Sequence, residues 1–275
     1  MSSCFRNLFA NKFPIIGMVH VEALPGSPFC KRDFNATIDK AVQEAKVYAD
    51  NGIDAIMIEN MYDIPYVQSR YFGPETVACM ARIATVIRET IGDNIPCGIQ
   101  ILACGNKEAL AVAKACNLNF IRAEGYVFSH VADEGFTDAD AGQILRYRKH
   151  INAENIQIFT DIKKKHSSHA ITNDVSLLET AKAAEYFRSD GIVLTGSSTG
   201  CETNVEEVGS LKSEVLLPLI VGSGVTIDNI SKYWNLADAA IVGSHFKKDG
   251  HWKGELSETK VRSFIEKLDG FRSKV

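Results

Sequence analysis

The chain has 275 residues, a formal net charge of −4 and a pI near 6.0, and 45% of its residues are hydrophobic. This length suffices for one large core, the weakly acidic balance provides no basic face for nucleic acid, and no apolar run reaches the roughly 18 residues of a membrane span. The seven cysteines form no Cys-x-x-Cys pair, which favours free thiols over a disulfide framework or a zinc site.

Short apolar strands alternate with helical segments eight times along the chain. The predicted strands are 15–20, 55–60, 97–102, 120–126, 156–163, 191–196, 219–224 and 239–244. The predicted helices lie near 37–50, 75–91, 106–116, 138–151, 174–188, 204–214, 228–235 and 257–268. This alternation indicates a parallel sheet. Eight units with no spare strand predict a single (β/α)8 TIM barrel over residues 15–275, after an N-terminal lead-in at 1–14.

The lead-in contains Arg6 and Lys12 and no acidic residue, a composition shared with mitochondrial presequences. The alternative, which we favour, is that Phe5, Leu8 and Phe9 pack under the floor of the barrel. We therefore expect a cytoplasmic protein, with the mitochondrial matrix as the alternative location.

Three junctions between a helix and the next strand resemble one another. Segments 52–60, 189–196 and 236–244 each contain an aspartate and then an apolar strand that ends in polar or glycine residues. Such similarity is expected of a repeated βα unit. Helix starts are marked locally by Pro74, Asp138, Asp174 and Ser257.

Unusual polar residues fall on one face of the predicted strands. Strand residues alternate between the lumen and the helix layer, and large aliphatic residues such as Ile56 and Ile58 mark the helix-facing set. Barrel enzymes carry their active sites at the carboxyl ends of the strands. We therefore interpret the polar residues of the lumen set as candidate catalytic residues: His20, Glu59, Arg122, Glu124, Asp161 and Lys163.

Each of these residues also has a structural interpretation. Arg122 with Glu124, or Asp161 with Lys163, could form ion pairs inside the lumen, and His20 could cap the proline-rich loop at 24–28. Buried charges are costly unless they are paired or used. The set as a group therefore favours a functional site.

Two glycine-serine turns end the seventh and eighth predicted strands. Glycines let backbone amides approach an anion, a helix N-terminus near residue 228 would add favourable charge, and barrels often bind phosphate at these two strand ends. The predicted phosphate-binding residues are Gly222, Ser223, Gly224, Gly243 and Ser244, with Thr195 and Gly196 beside them. The loop at 195–200 is a candidate third wall.

A run of three lysines and two histidines follows the fifth strand. Lys163 could be an electrophile, a Schiff-base amine or an anion clamp, and His166 and His169 could transfer protons or bind a metal. No tight ligand spacing completes a metal site, so we predict no cofactor and no metal ligands, with a divalent metal as the alternative. Cys201 is interpreted as a spectator thiol.

Several motifs occur in a recognisable order along nearly the whole chain. They are Gly17-Met-Val-His20 followed by Leu24-Pro-Gly-Ser-Pro28, Glu59-Asn60, Phe120-Ile-Arg122, Asp161 with Lys165-His166, Val193-Leu-Thr-Gly196 with Thr199-Gly200, Val221-Gly-Ser-Gly-Val-Thr226, and Ile241-Val-Gly-Ser244 ahead of Phe246-Lys247 and Asp249-Gly250. In order and spacing they resemble the BtpA/SgcQ family, named for a cyanobacterial factor needed for photosystem I accumulation.

The resemblance implies a phosphate-binding barrel of the ribulose-phosphate-binding type. The family often has histidine at the position of Lys163 and asparagine near those of Gln100 and Glu124. These departures argue against a histidine-rich metal site and for an altered choice of substrate.

We therefore expect an enzyme that acts on a small phosphorylated metabolite, a sugar phosphate or a nucleotide. Glu59 and Asp161 would be general acid/base groups, and Arg122 and Lys163 would stabilise negative charge. Isomerisation, lyase chemistry and hydrolysis all fit. The alternatives are a non-catalytic assembly or stability factor for a protein complex, and an inactive subunit of a larger enzyme. Association of the barrel into a homo-oligomer through its helices is left open.

Overall fold

Eight apolar strands pair in parallel and close on one another in the computed structural model, which describes residues 3–31 and 33–273. The strands are Ile15–His20, Ala55–Glu59, Cys97–Gln100, Phe120–Ala123, Gln157–Asp161, Gly191–Leu194, Leu219–Val221 and Ala239–Val242. We number them one to eight. Strand eight pairs with strand one, with Ile15 opposite Ala240, and this pairing closes the barrel. The predicted (β/α)8 barrel is confirmed, and its predicted ends at residues 1 and 275 lie outside the described residues.

A helix follows each strand, one further helix precedes the first strand, and for some of them the first residues explain where the helix begins. The helices are Ser3–Leu8, Phe34–Asp50, Pro74–Ile91, Asn106–Ala115, Ala141–His150, Leu177–Tyr186, Val205–Lys212, Ile230–Tyr233 and Glu258–Arg272. Ser257 caps the last helix as predicted, and Pro74 is the first residue of its helix. The starts predicted at Asp138 and Asp174 were early. In the second case Ser176 and Glu179 form a capping box that outcompetes Asp174.

The strand residues separate into two apolar layers. Ile56 and Ile58 belong to the layer between strands and helices, whereas Met57 belongs to a second cluster inside the lumen. Phe5 and Phe9 of the lead-in lie in that lumen cluster, and Phe5 makes an edge contact with Phe159 at 5.8 Å between ring centroids. The structure thus supports the packing of these aromatic rings under the barrel floor.

Four polar side chains tie the strands together in pairs at their amino ends. Each precedes an even-numbered strand and accepts a hydrogen bond from a backbone amide at the start of the preceding odd-numbered strand. The pairs are Asp54 with Ile15 (2.8 Å), Asn119 with Cys97 (2.9 Å), Asp190 with Ile158 (2.9 Å) and Asp238 with Leu219 (2.9 Å). Each also accepts from a basic side chain of a helix, namely Arg272, Arg88, Arg148 and Lys212 respectively.

A small antiparallel sheet that we did not predict joins the loops after strands four and five. It consists of His130–Ala132, Gly135–Thr137 and Ser167–Ser168, with Val131 opposite both Phe136 and Ser168. It brings the loops that carry Glu134 and His166 together beside the carboxyl ends of the barrel strands. Across 3–31 and 33–273, no helix is long and apolar enough to cross a lipid bilayer.

Candidate functional site

A cavity of about 370 Å³ opens at the carboxyl ends of the barrel strands. It brings together most of the residues that the sequence predicted for a site: His20, Glu59, Arg122, Glu124, Gly222, Ser223, Gly224, Gly243 and Ser244. Thr199 and Gly200 also line it, so the loop after strand six forms the predicted third wall.

Four predicted site residues do not line the cavity. Asp161 lies behind Arg122, and Lys163 donates to the carbonyl oxygen of Thr172 at 3.0 Å. The strand ends at Asp161, and Lys163 has a left-handed backbone with φ of +45°, so strand alternation no longer places its side chain in the lumen. Thr195 and Gly196 support the site indirectly, through hydrogen bonds to the Lys165 amide and to Ser223.

His20 and Glu59 are both buried and lie close together in the cavity. His20 Nδ1 lies 3.2 Å from the carbonyl oxygen of Trp252, which places the ring proton on Nδ1 and leaves Nε2 with its lone pair. Burial, helped by the positive charge of Lys247, lowers the pKa of His20 to about 3, so the imidazole is neutral at pH 7. The 3.9 Å separation between Nε2 and Glu59 Oε2 is therefore not an ion pair, and it is too long for a hydrogen bond.

Burial also shifts the pKa of Glu59. It raises the pKa of this carboxyl group, and the positive charges of Arg122 and Lys165 only partly oppose the rise. A carboxyl group with a raised pKa keeps its proton to higher pH and can act as a general acid.

Arg122 is held rigidly by Asp161. The guanidinium donates through Nε and Nη2 to the two carboxylate oxygens at 2.7 and 2.8 Å. Burial alone would lower the pKa of Arg122, but the charge of Asp161 outweighs it and raises that pKa, so the guanidinium stays cationic. Because both oxygens of Asp161 are engaged, we replace its predicted acid/base role with that of orienting Arg122.

Glu124 has a different partner from the one considered in the sequence. Lys164 Nζ lies 3.3 Å from Glu124 Oε1 and 3.7 Å from Glu134 Oε1. Burial would raise the pKa of Glu124, but Lys164 and then Arg122 outweigh burial and lower it. The lumen ion pairs are thus Arg122–Asp161 and Lys164–Glu124, both between neighbouring strand ends rather than within one strand.

The rim beside strands seven and eight offers free backbone donors. Within the described ranges, the amides of Ser223, Gly224 and Ser244 donate to no protein acceptor. Gly224 has φ of +70°, and a Cβ there would come within 2.3 Å of the Cys201 carbonyl oxygen, so this turn requires glycine. The helix after strand seven comprises only Ile230–Tyr233, so the donors of the rim are loop amides and not the predicted helix N-terminus.

Three further residues of the cavity were not predicted to be functional. Lys165 lines it and, among the residues the structure describes, pairs with no carboxylate. Gln100 is buried, and its Oε1 has no hydrogen-bond partner in the described part of the chain. Trp252 comes from the loop after strand eight and covers His20. The sequence contained a signal for two of these residues, namely the predicted lumen position of the polar Gln100 and the run of three lysines. No feature near residue 252 indicated that this loop would contact His20 of strand one.

Metal-binding side chains do not converge. No group of three or more His, Cys, Asp or Glu residues within 3–31 and 33–273 is arranged to hold a metal ion. His130 and His169 come within 5.1 Å between ring centroids, and burial lowers the pKa of His130 to about 4.

Comparison with known proteins identifies a matching family model and proteins of similar sequence. A model described as the BtpA family matches residues 11–270. A Caenorhabditis elegans protein described as mitochondrial is 44% identical over 258 residues, which cover 93% of this chain and 92% of that protein. The photosystem I biogenesis protein BtpA of Synechocystis is 31% identical over 268 residues, which cover 97% of this chain and 92% of BtpA.

Solved structures share the barrel at much lower identity. Phosphoribosyl anthranilate isomerase from Thermus thermophilus aligns with a TM-score of 0.60 at 12% identity, over 94% of this chain and 100% of that one. Orotidine 5′-monophosphate decarboxylase from Methanocaldococcus jannaschii, in complex with the inhibitor BMP, aligns with a TM-score of 0.60 at 14% identity, over 94% and 99%. At such identities the likeness shows the fold alone.

Proposed function

The chain belongs to the BtpA family, and on that premise we propose that it is an enzyme that binds a small phosphorylated metabolite and transforms it by acid/base chemistry. The metabolite is a sugar phosphate or a nucleotide, and its phosphate binds at the rim beside strands seven and eight. One observation carries the proposal: Ser223, Gly224 and Ser244, whose amides have no acceptor in the described part of the chain, line the same cavity as His20, Glu59 and Arg122.

The position and size of the cavity support this function. Barrels often bind phosphate at the loops after strands seven and eight, and sites for small molecules typically measure about 300–1,000 Å³. The names of two barrels of the same fold describe phosphorylated molecules, a phosphoribosyl anthranilate and an orotidine 5′-monophosphate.

Each polar group then has a distinct task. Protonated Glu59 donates a proton to the substrate, and the free Nε2 of the neutral His20 accepts a hydrogen bond from a substrate hydroxyl group. Arg122, fixed by Asp161, stabilises the negative charge that develops in between. A well-placed acid or base contributes a rate factor of about 10²–10⁴.

A thermal-shift screen tests the binding step. The panel contains sugar phosphates, nucleoside monophosphates and their unphosphorylated counterparts. A phosphorylated ligand at 100 times its Kd should stabilise the protein by about 2.7 kcal/mol, which raises Tm by several degrees. Equal shifts from the unphosphorylated counterparts, or no shift in the whole panel, would contradict the proposal.

Three variants sharpen the screen. Ser244→Asp places a negative charge at the rim and should abolish the shift, whereas Ser263→Asp adds the same charge on the exposed face of the last helix and should retain it. Glu59→Gln should still be stabilised by the metabolite but should not turn it over. Unchanged turnover would remove Glu59 from catalysis.

The name of the Synechocystis relative favours a second candidate, an assembly or stability factor for a protein complex. That function predicts capture of a protein partner by the immobilised chain and no stabilising metabolite. We keep the cytoplasm as the proposed location, and the description of the Caenorhabditis elegans relative favours the mitochondrial matrix as the alternative.

A further inference from the structure

We propose that Lys165 is a nucleophile that forms a Schiff base with a phosphorylated aldehyde or ketone. This inference rests on the proposed function and deepens it, because it names a carbonyl compound as the substrate class and a covalent intermediate as the route. It is based on the different surroundings of three consecutive lysines, which the sequence alone did not distinguish.

The three lysines have three different environments. Lys163 is tied to the carbonyl oxygen of Thr172, and Lys164 is buried in an ion pair with Glu124. Lys165 lines the cavity, and among the described residues its Nζ has neither a hydrogen bond nor an ion pair. It is therefore the one lysine of the run whose amine is available to a ligand.

A backbone hydrogen bond fixes the position of Lys165 beside the loop after strand six. Its amide donates to Thr195 Oγ1 at 3.2 Å, which holds the residue against the loop after strand six. That same loop carries Thr199 and Gly200 into the cavity wall beside Ser244. A substrate with its phosphate at the rim would thus extend its other atoms into the space that Lys165 lines.

Burial and one neighbouring cation favour loss of a proton from the Lys165 ammonium group. Burial, and next the positive charge of Arg122, lower the pKa of Lys165, while the acidic groups of Glu59 and Asp161 only partly oppose this change. Lys165, in its protonated form, also contributes to lowering the pKa of His20. The amine, Glu59 and His20 therefore act on one another within one cavity, and only a neutral amine attacks a carbonyl group.

The chemistry balances with the groups present. The lone pair of Nζ forms a bond to the carbonyl carbon, and one N–H proton passes to the carbonyl oxygen. Glu59 gives that oxygen a second proton, the C–O bond breaks, and water leaves as the C=N bond forms. The products are a protonated imine on Lys165 and the Glu59 carboxylate, and no oxidant or reductant is consumed.

Reductive trapping tests the proposal. The full chain is incubated with glyceraldehyde 3-phosphate, dihydroxyacetone phosphate or ribose 5-phosphate together with sodium cyanoborohydride, and the adduct is located by peptide mass spectrometry. We expect at least one probe to label Lys165 in preference to all other lysines. Excess inorganic phosphate should suppress the labelling several-fold, because it competes at the rim.

Lys165→Arg should retain the fold and Tm but lose the adduct, whereas Lys163→Arg should keep it in full. Labelling spread over exposed lysines without enrichment at residue 165, or labelling that Lys165→Arg does not change, would overturn the proposal. The Tm of the same preparation with inorganic phosphate separates the two hypotheses. If phosphate raises Tm but no adduct forms, only the Schiff base is wrong; if neither effect occurs, the phosphate-binding function falls as well.

Discussion

At the scale of single residues, burial and pairing decide which groups of the cavity are charged. Among the described residues, His20 and Glu59 form no ion pair with any other side chain, and burial shifts the pKa of each in the direction that favours its neutral form. Arg122 and Lys164 are equally enclosed but each faces a carboxylate, which keeps them cationic. The site therefore combines two groups whose pKa shifts favour the neutral form with two cations that are fixed by ion pairs.

The neutral His20 has a measurable consequence for stability. Its pKa is about 3 in the folded chain, against an ordinary value of 6.5 for a histidine in water, so between these pH values the unfolded chain binds one proton more. The free energy of unfolding should fall as the pH drops below about 6.5, by up to about 1.4 kcal/mol per pH unit from this group. His20→Gln should remove that part of the slope.

Urea unfolding at pH 7, 6 and 5 measures the slope. His251→Gln, which removes an exposed histidine of the same loop that covers His20, should leave it as in the parent chain. An unchanged slope in His20→Gln would show that this imidazole is not held neutral.

Strand alternation was sufficient to predict which residues face the lumen, but not their partners. Glu59, Arg122 and Glu124 lie where a period of two places them. The ion pairs join the ends of neighbouring strands. Which residues form a pair depends on how the strands are aligned in the fold, and the pattern along one strand does not contain this information. The cavity is lined by Lys165 and not by Lys163, because Lys163 has a left-handed backbone just beyond the end of the strand, where the alternation of strand residues no longer applies.

At the scale of elements, the four ties between strands explain the repeated aspartates. Three of the four polar residues, Asp54, Asp190 and Asp238, stand at the junctions that resemble one another in the sequence. The fourth, Asn119, performs the same task with an amide oxygen, so a search for aspartate does not detect it. These ties link the eight strands into four consecutive pairs, and each pair is held by the same type of hydrogen bond.

Removing one tie should weaken the barrel. Asp238→Ala leaves the Leu219 amide and the Lys212 ammonium without their acceptor. Loss of a buried acceptor costs about 1–3 kcal/mol of unfolding free energy, which urea denaturation would detect. Asp39→Ala, on the exposed face of the first barrel helix, should stay within about 0.5 kcal/mol. Equal stability of Asp238→Ala and the parent would show that the ties are dispensable.

Short elements account for most of what the sequence did not predict. The strands His130–Ala132 and Ser167–Ser168 contain three and two residues, which is too few for a period-two pattern to be recognised. The helix predicted near 228–235 is present but is only a single turn, Ile230–Tyr233, so the prediction was right about its place and wrong about its length. The long alternating units, by contrast, were sufficient to predict the barrel.

At the scale of the whole molecule, the two ends of the barrel have opposite characters. Phe5 and Phe9 of the lead-in pack into the lumen at one end, with Phe120 and Phe159. The other end holds the cavity, so the apolar floor supports a polar site above it. This division follows the general rule that barrel strands carry stability at their amino ends and chemistry at their carboxyl ends.

A crystal structure determined at saturating inorganic phosphate is the sharpest test of the phosphate site. We expect one phosphate between the loops after strands seven and eight, within hydrogen-bond distance of the amides of Gly224 and Ser244. A rim without phosphate, with the anion bound elsewhere on the barrel, would contradict the assignment of this site.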